Sequence, residues 1–282
     1  MRYDFYVFSG TGNTRKVCEK IKETLEREGN KCSFNRIARG ENAVEKIDGE
    51  LVIGFPVHAF NAPAPAEEFV KELPDATDGR KTYLFATSGE PLKLNDCAFV
   101  KISRVLEEKG YDVCLTERFV MPYNIIFRHS DEMAARMWAA AEKGAINAAY
   151  EMINGEKNLV KTSLTERAAS GAFRIEHAAM PLIGRSFAVT DGCVGCGACA
   201  KVCPQKNIVI KDGKPCFGKD CVGCMGCAFS CPTDSIRTGV LNAWRVNGKY
   251  DFGAEPAKDE EICKYLRKTY LKYFQNAESV IK

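Results

Sequence analysis

The strongest constraint on this chain is a pair of cysteine runs, CVGCGACAKVCP at residues 193–204 and CVGCMGCAFSCP at 221–232. Set against each other at an offset of 28 residues, they agree at eight of twelve positions: all four cysteines, the Val-Gly pair, one Ala and the closing Pro. Self-similarity of this kind marks an internal duplication, so the stretch folds as two copies of one unit.

Each run spaces its thiols as C-x2-C-x2-C-x3-C-P, the ligand pattern of [4Fe-4S] clusters in which the fourth cysteine of a run serves the other cluster. Three closely spaced thiolates wrap one corner of a cubane while the chain that leaves them heads away. On that rule one cluster takes Cys193, Cys196, Cys199 and Cys231, and the second takes Cys221, Cys224, Cys227 and Cys203. Pro204 and Pro232 turn the chain after each fourth ligand. Thiolate cages disfavour hard, oxygen-loving metals. Structural zinc would use four ligands in two pairs, fewer than the two nested runs provide, and a disulfide framework is the other alternative. Residues 185–240 resemble the two-cluster bacterial ferredoxins, which implies a small α+β domain holding two [4Fe-4S] clusters.

At 282 residues the chain has room for two domains. Apolar residues make up 45% and charged residues 27%, values ordinary for a globular protein, and no run reaches the ~20 apolar residues of a membrane span. The opening MRYDFYVFSG lacks the zones of a secretory signal, so a cytoplasmic location is expected, where thiols stay reduced. Residues 1–160 carry 22 basic and 25 acidic side chains, residues 185–240 carry 7 and 4. The basic second half is thereby suited to an acidic partner, including the first half of its own chain. There is no basic run or aromatic-interleaved patch for nucleic acid.

Tyr3–Phe8 is a short apolar run that ends in Ser9-Gly10-Thr11-Gly12-Asn13-Thr14, and Arg15–Glu28 then reads as a helix closed by Gly29. Strand, glycine-and-hydroxyl loop and helix make a phosphate site: glycines let backbone N–H groups turn inward, and the helix N-terminus adds its positive end. The loop has neither the Gly-Lys-Ser/Thr of a Walker A sequence nor G-x-G-x-x-G. Further strands are expected at 31–37, 51–55, 81–86 and 113–121, with helices at 65–73, 96–109 and 131–154. That alternation implies a parallel sheet covered on both faces.

The loop resembles the flavodoxin signature Ser/Thr-x-Thr-Gly-Asn-Thr, matched by Ser9, Thr11, Asn13 and Thr14. The resemblance implies a flavodoxin-like, doubly wound α/β domain with a five-stranded parallel sheet, binding FMN by its phosphate at residues 9–14. It also implies that the isoalloxazine lies between Pro56-Val57-His58-Ala59-Phe60-Asn61 and Thr87-Ser88-Gly89-Glu90. Gly89 would permit close approach to the flat ring, and His58 and Phe60 are the nearest aromatic candidates to stack on it. His58 is a candidate proton donor to the flavin or a structural loop histidine, while Met121–Asn124 either touches the cofactor or only turns the chain. His129 and His177 stand alone, outside any metal pattern.

The expected order is therefore a flavodoxin-like domain at 1–157, a connector at 158–184, a two-cluster ferredoxin domain at 185–240 and a C-terminal helical extension at 241–282. Within the extension Asp259–Ala277 reads as a helix with Ile262, Leu266, Tyr270 and Phe274 on one face, for a core contact or a homodimer surface. Cys18, Cys32, Cys97, Cys114, Cys216 and Cys263 lie outside the runs; most are expected to pack as small apolar residues, while Cys97, after the expected flavin loop, and Cys216, before the second run, are left open.

Together the halves resemble flavodoxin-ferredoxin fusion proteins, which implies electron exchange between FMN and two clusters in series and an unidentified redox protein or small-molecule partner. Flavin handles one or two electrons and a cluster one, so a chain with both converts hydride-type into single-electron chemistry. The alternatives are a flavin-dependent reductase acting on NAD(P)H or a small molecule, and a redox sensor.

Overall fold

The computed structural model describes residues 1–41, 44–246 and 248–279; residues 280–282, at the end of the C-terminal extension, lie outside that description. The first half alternates strand and helix: β1 (Arg2–Val7), α1 (Asn13–Arg27), β2 (Lys31–Arg36), β3 (Glu50–Pro56), α2 (Ala64–Glu72), β4 (Lys81–Ser88), α3 (Ala98–Glu108), β5 (Asp112–Val120) and α4 (Asp131–Asn154). The strands form one parallel sheet in the order β2-β1-β3-β4-β5. Chain direction across the sheet reverses between β1 and β3, which opens a crevice beyond their C-terminal ends.

Both faces of the sheet are covered, and the strand interiors are accordingly apolar on both sides. Phe5, Tyr83 and Phe85 pack with Val17 and Ile21 of α1 and with Ala145 and Ala149 of α4. On the opposite face Leu51, Ile53, Phe55 and Leu84 pack with Phe69 of α2 and with Phe99 and Ile102 of α3. The start of α4 is set by Ser130, whose hydroxyl accepts from Met133 N, and its end by Gly155 at φ 67°. Strand β4 runs to Ser88, so Thr87 and Ser88, expected in a loop, are strand residues. The helix expected from 96 is preceded by a 3-10 turn at Lys93–Cys97.

Two helices, α5 (Leu164–Ala172) and α6 (Ile175–Arg185), follow the sheet domain. The cysteine-rich region then contains β6 (Ala188–Val189), α7 (Ala198–Val202), β7 (Ile208–Lys211), β8 (Lys214–Phe217), α8 (Gly226–Phe229) and β9 (Ile236–Arg237). The 28-residue offset carries over to the structure. It maps α7 on α8 and β7 on β9, and the pair Ala188↔Arg237 on Cys216↔Val209. Gly197 and its counterpart Met225 both take left-handed φ (71° and 57°), as do Lys206 and Asp234 (49° and 48°). Asn207 N donates to Cys203 Sγ (3.4 Å) and, 28 residues on, Ser235 N donates to Cys231 Sγ (3.2 Å).

The extension returns to the sheet domain. Its helix α9 (Arg267–Ser279) is shorter than expected: Asp259–Glu261 forms a separate 3-10 turn and Leu266 takes φ 52°, which breaks the helical path. Ile262, Tyr270 and Phe274 nonetheless reach one core with Val120, Met133 and Met137, so the apolar face is used within the chain. The join between the halves does not follow net charge. Lys206 faces Glu41 (3.6 Å) but Arg39 faces Asp220 (2.7 Å), and a backbone bond from Arg39 N to Pro204 O (2.8 Å) and a side-chain bond from the Arg36 guanidinium to Val202 O lie beside them. Exposed ion pairs of this kind contribute about 0–1 kcal/mol each. Among the described residues no helix is long and apolar enough to cross a membrane.

Candidate functional site

A cleft of about 580 Å³ opens at the C-terminal ends of β3, β4 and β5. The tight turn from His58 to Asn61 forms one wall, closed by paired backbone bonds of 2.9 Å and by left-handed φ at Ala59 (45°) and Phe60 (62°). Pro56, Val57, His58, Ala59 and Phe60 line the cleft. Asn61 is turned the other way. Its amide donates to Ser170 O (2.9 Å) and accepts from Arg174 (3.2 Å), so it fastens α5 and α6 to the turn. Phe60 packs edge-on against Phe173 (4.9 Å), and His177 Nε2 donates to the His58 carbonyl (3.0 Å). Burial, and then His177, push the His58 imidazole down to about 4, which keeps it neutral near pH 7.

Thr87, Ser88, Gly89 and Glu90 form a second wall. A Cβ at Gly89 would overlap the Tyr123 ring, so the missing side chain makes room for that tyrosine, a use the sequence did not reveal. Glu90 is buried, with Tyr123 OH and Asn95 Nδ2 (3.0 Å) donating to its carboxylate. From the extension, Tyr270 OH donates to Gly89 O (2.6 Å). The third wall was only partly anticipated, at Met121–Asn124. It also takes in Ile126, Glu176, His177 and Met180 of α6, and Trp244, none of which stands in a motif.

Of the loop at 9–14, Asn13 reaches the cleft wall, with its amide donating to Pro122 O (2.8 Å) and Asn124 Oδ1 (3.3 Å). Gly12, at φ 105°, caps α1 without a side-chain hydrogen bond, and Thr14 Oγ1 lies 2.7 Å from Thr87 Oγ1. Ser9 Oγ accepts from Arg15 N (3.3 Å). Thr11 Oγ1 is shut off from solvent and has no hydrogen-bond partner. Gly10 lies against Cys224, where any Cβ would overlap the cysteine backbone.

A small second cavity brings Cys193, Cys196 and Cys199 of the first run together with Cys231 of the second. Burial raises the thiol pKa of Cys221, Cys224 and Cys227, and nearby Cys203 adds to the shift of each; Cys224 is pushed up to about 12. Among the described residues no three ligating side chains converge as a single metal ion requires.

Residues 5–110 match the family model of a flavodoxin domain, and residues 189–209 match that of a 4Fe-4S binding domain. The chain joins a flavodoxin domain to a 4Fe-4S domain. No curated protein matches the sequence. Among solved structures it is similar to oxidised flavodoxin 2 from Bacillus cereus (17% identity, TM-score 0.42, 55% of this chain and 99% of that one). It is also similar to a flavodoxin from the domain Archaea (16%, 0.38, 54% and 99%) and to an azoreductase from Bacillus anthracis str. Sterne (12%, 0.39, 54% and 100%).

A flavodoxin domain implies FMN and a 4Fe-4S domain at least one cluster, and together they imply redox function with electron transfer. The residues present fit both groups. Thr11 Oγ1 is an orphaned donor beside a helix N-terminus with no side-chain cap, the environment an anionic phosphate would complete. The matched stretch 189–209 contains Cys193, Cys196, Cys199 and Cys203, thiols of the soft type that iron-sulfur clusters use.

Proposed function

We propose that this chain is an electron-transfer protein that holds FMN in the cleft and two [4Fe-4S] clusters on the crossed cysteine sets, and exchanges electrons with a separate redox protein. The observation that carries this reading is the shared wall. Val222, Gly223, Cys224 and Met225 of the second run line the same cleft as His58, Thr87 and Gly89. When bound, FMN supplies two-electron and one-electron chemistry and each cluster supplies one-electron chemistry.

The chain's own groups have the remaining tasks. Ser9, Gly10, Thr11, Gly12, Asn13 and Thr14 would receive the phosphate through backbone N–H groups and the Thr11 hydroxyl. The 56–60 turn and the 87–90 segment would flank the ring, with His58 neutral. Cys193, Cys196, Cys199 and Cys231 would ligate one cluster, and Cys221, Cys224, Cys227 and Cys203 the other, as the grouping of Cys231 with the first run supports. A cytoplasmic setting belongs to this reading, because the thiols must stay reduced.

Anaerobically purified protein should carry about eight irons and one FMN per chain. Roughly one zinc with no iron would end the cluster assignment. A reductase is the second reading, favoured by Glu176 and His177 on the cleft wall facing the sheet. Steady anaerobic oxidation of NADH or NADPH by the purified chain would select it over the carrier.

A further inference from the structure

The two cysteine runs are alike in sequence and in backbone, but their surroundings differ. The second run is enclosed by elements from outside its own domain. Gly10 lies on Cys224, and a Cβ built at Gly226 would stand 2.7 Å from Gly10 O, so the phosphate loop and this run meet backbone to backbone at two glycines. Val222 and Cys224 pack on the core beneath α2 and α3. Helix α6 closes the other side: a Cβ at Gly184 would overlap the Cys221 side chain, and one at Gly223 would stand 2.6 Å from Met180 Sδ.

The first run meets the sheet domain at its far end, where the Arg36 guanidinium reaches Val202 O and Arg39 N reaches Pro204 O, but the stretch from Cys193 to Cys199 is not enclosed in this way. Gly195 approaches Gly213 O within its own domain, and the small cavity around Cys193, Cys196, Cys199 and Cys231 is lined from residues 189–236 alone. Cys196 is exposed and Val194 is 67% exposed. A duplicated unit has thus been placed so that one copy faces the flavin cleft and the other faces solvent.

We propose that the cluster on Cys221, Cys224, Cys227 and Cys203 is the inner one, whose assembly sets the phosphate loop for FMN, while the cluster on Cys193, Cys196, Cys199 and Cys231 is the outer one, independent of FMN binding. The inference rests on the cofactor assignment above and adds an order and a coupling to it. The physical reason is that Cys221 and Cys227, proposed ligands of this cluster, pack against the small core of the cysteine-rich region, so the backbone of the second run loosens when the metal that ties them is absent. Gly10 leans on that backbone, so a loose second run leaves the 9–14 loop without its support. Among the described residues the first run makes no hydrogen bond to that loop.

The test uses the full chain, stripped of flavin under anaerobic conditions and titrated with FMN while flavin fluorescence is followed. Three variants are compared with the unaltered protein. Cys196→Ala should keep the FMN dissociation constant within about twofold and retain about four irons. Cys224→Ala should raise it about tenfold, equivalent to ~1.4 kcal/mol. Cys203→Ala separates cluster assembly from local packing, because Cys203 belongs to the inner set by ligation yet lies in the first run; it should match Cys224→Ala. If Cys196→Ala weakens FMN as much as Cys203→Ala, or if Cys224→Ala acts alone, the inference is overturned while the cofactor assignment stands. An unaltered chain that takes up iron but no FMN overturns both.

Discussion

The flavodoxin domain and the cysteine-rich region are stabilised in different ways. The sheet domain buries large side chains on both faces, among them Tyr3, Phe5, Phe55, Phe85 and Phe119, all essentially inaccessible to solvent. The cysteine-rich region has one modest cluster around Met180, Phe187, Ile208, Met225, Ile236 and Leu241, and the residues packed against it include Cys203, Cys221, Cys227 and Cys231. The first half can fold on burial alone, since each large buried apolar side chain contributes ~1.5–3 kcal/mol. In the second half the groups occupying core positions are the cysteines proposed above as cluster ligands, and on that assignment cluster assembly and folding would be one process.

The contrast is broken most directly by removing iron. Chelation under reducing conditions should abolish amide-exchange protection at 193–237 while β1, β3 and β4 remain protected; uniform loss across both halves would show that the sheet depends on the clusters. Next in size is the contact between the extension and the sheet domain. Phe274→Ala should cost ~3–5 kcal/mol in denaturant unfolding of the first half, because Phe274 packs with Val120 and Met137.

Acid offers a further separation. His129 is buried against Tyr123 (5.4 Å, stacked) and Tyr270, and that burial pushes its imidazole down to about 4. Between about 6.5, the value of an exposed imidazole, and about 4, the unfolded chain binds the extra proton. The contribution of His129 to the stability of the sheet domain should therefore fall by up to ~3 kcal/mol as pH drops through that window. His129→Phe, which keeps the ring contacts, should remove that share of the acid dependence in thermal unfolding and leave the share of His58, which burial also pushes down to about 4. Thr11→Leu should weaken FMN about tenfold to a hundredfold in fluorescence titration, the loss of a hydrogen bond to a charged group, with iron content unchanged. The smallest effect is expected for Tyr270→Phe: the bond to Gly89 O is lost for ~1 kcal/mol, read by denaturant midpoint.

Much of the fold and some of the site could be read from local patterns. Ligand spacing in the cysteine runs, the glycine-and-hydroxyl loop at 9–14 and the apolar runs of β3 and β4 each depend on residues a few positions apart, and their periodicity survives in the sequence. What escaped involves contacts between distant residues. Asn61 sits in the expected flavin loop but is spent on Ser170 and Arg174, because α5 and α6 dock there. Gly89 faces Tyr123 because β5 ends beside it. The break at Leu266 interrupts a helical pattern that local propensity alone would continue.

The sequence by itself determined that the chain joins two kinds of redox domain and carries a duplicated cysteine pattern in one of them, since both are encoded in short-range spacing. It left the two cysteine runs equivalent. Only the tertiary structure distinguished them: Gly10 and Cys224, more than two hundred residues apart, meet because the connector folds back over the cleft, and packing between distant surfaces leaves no periodic trace along the chain.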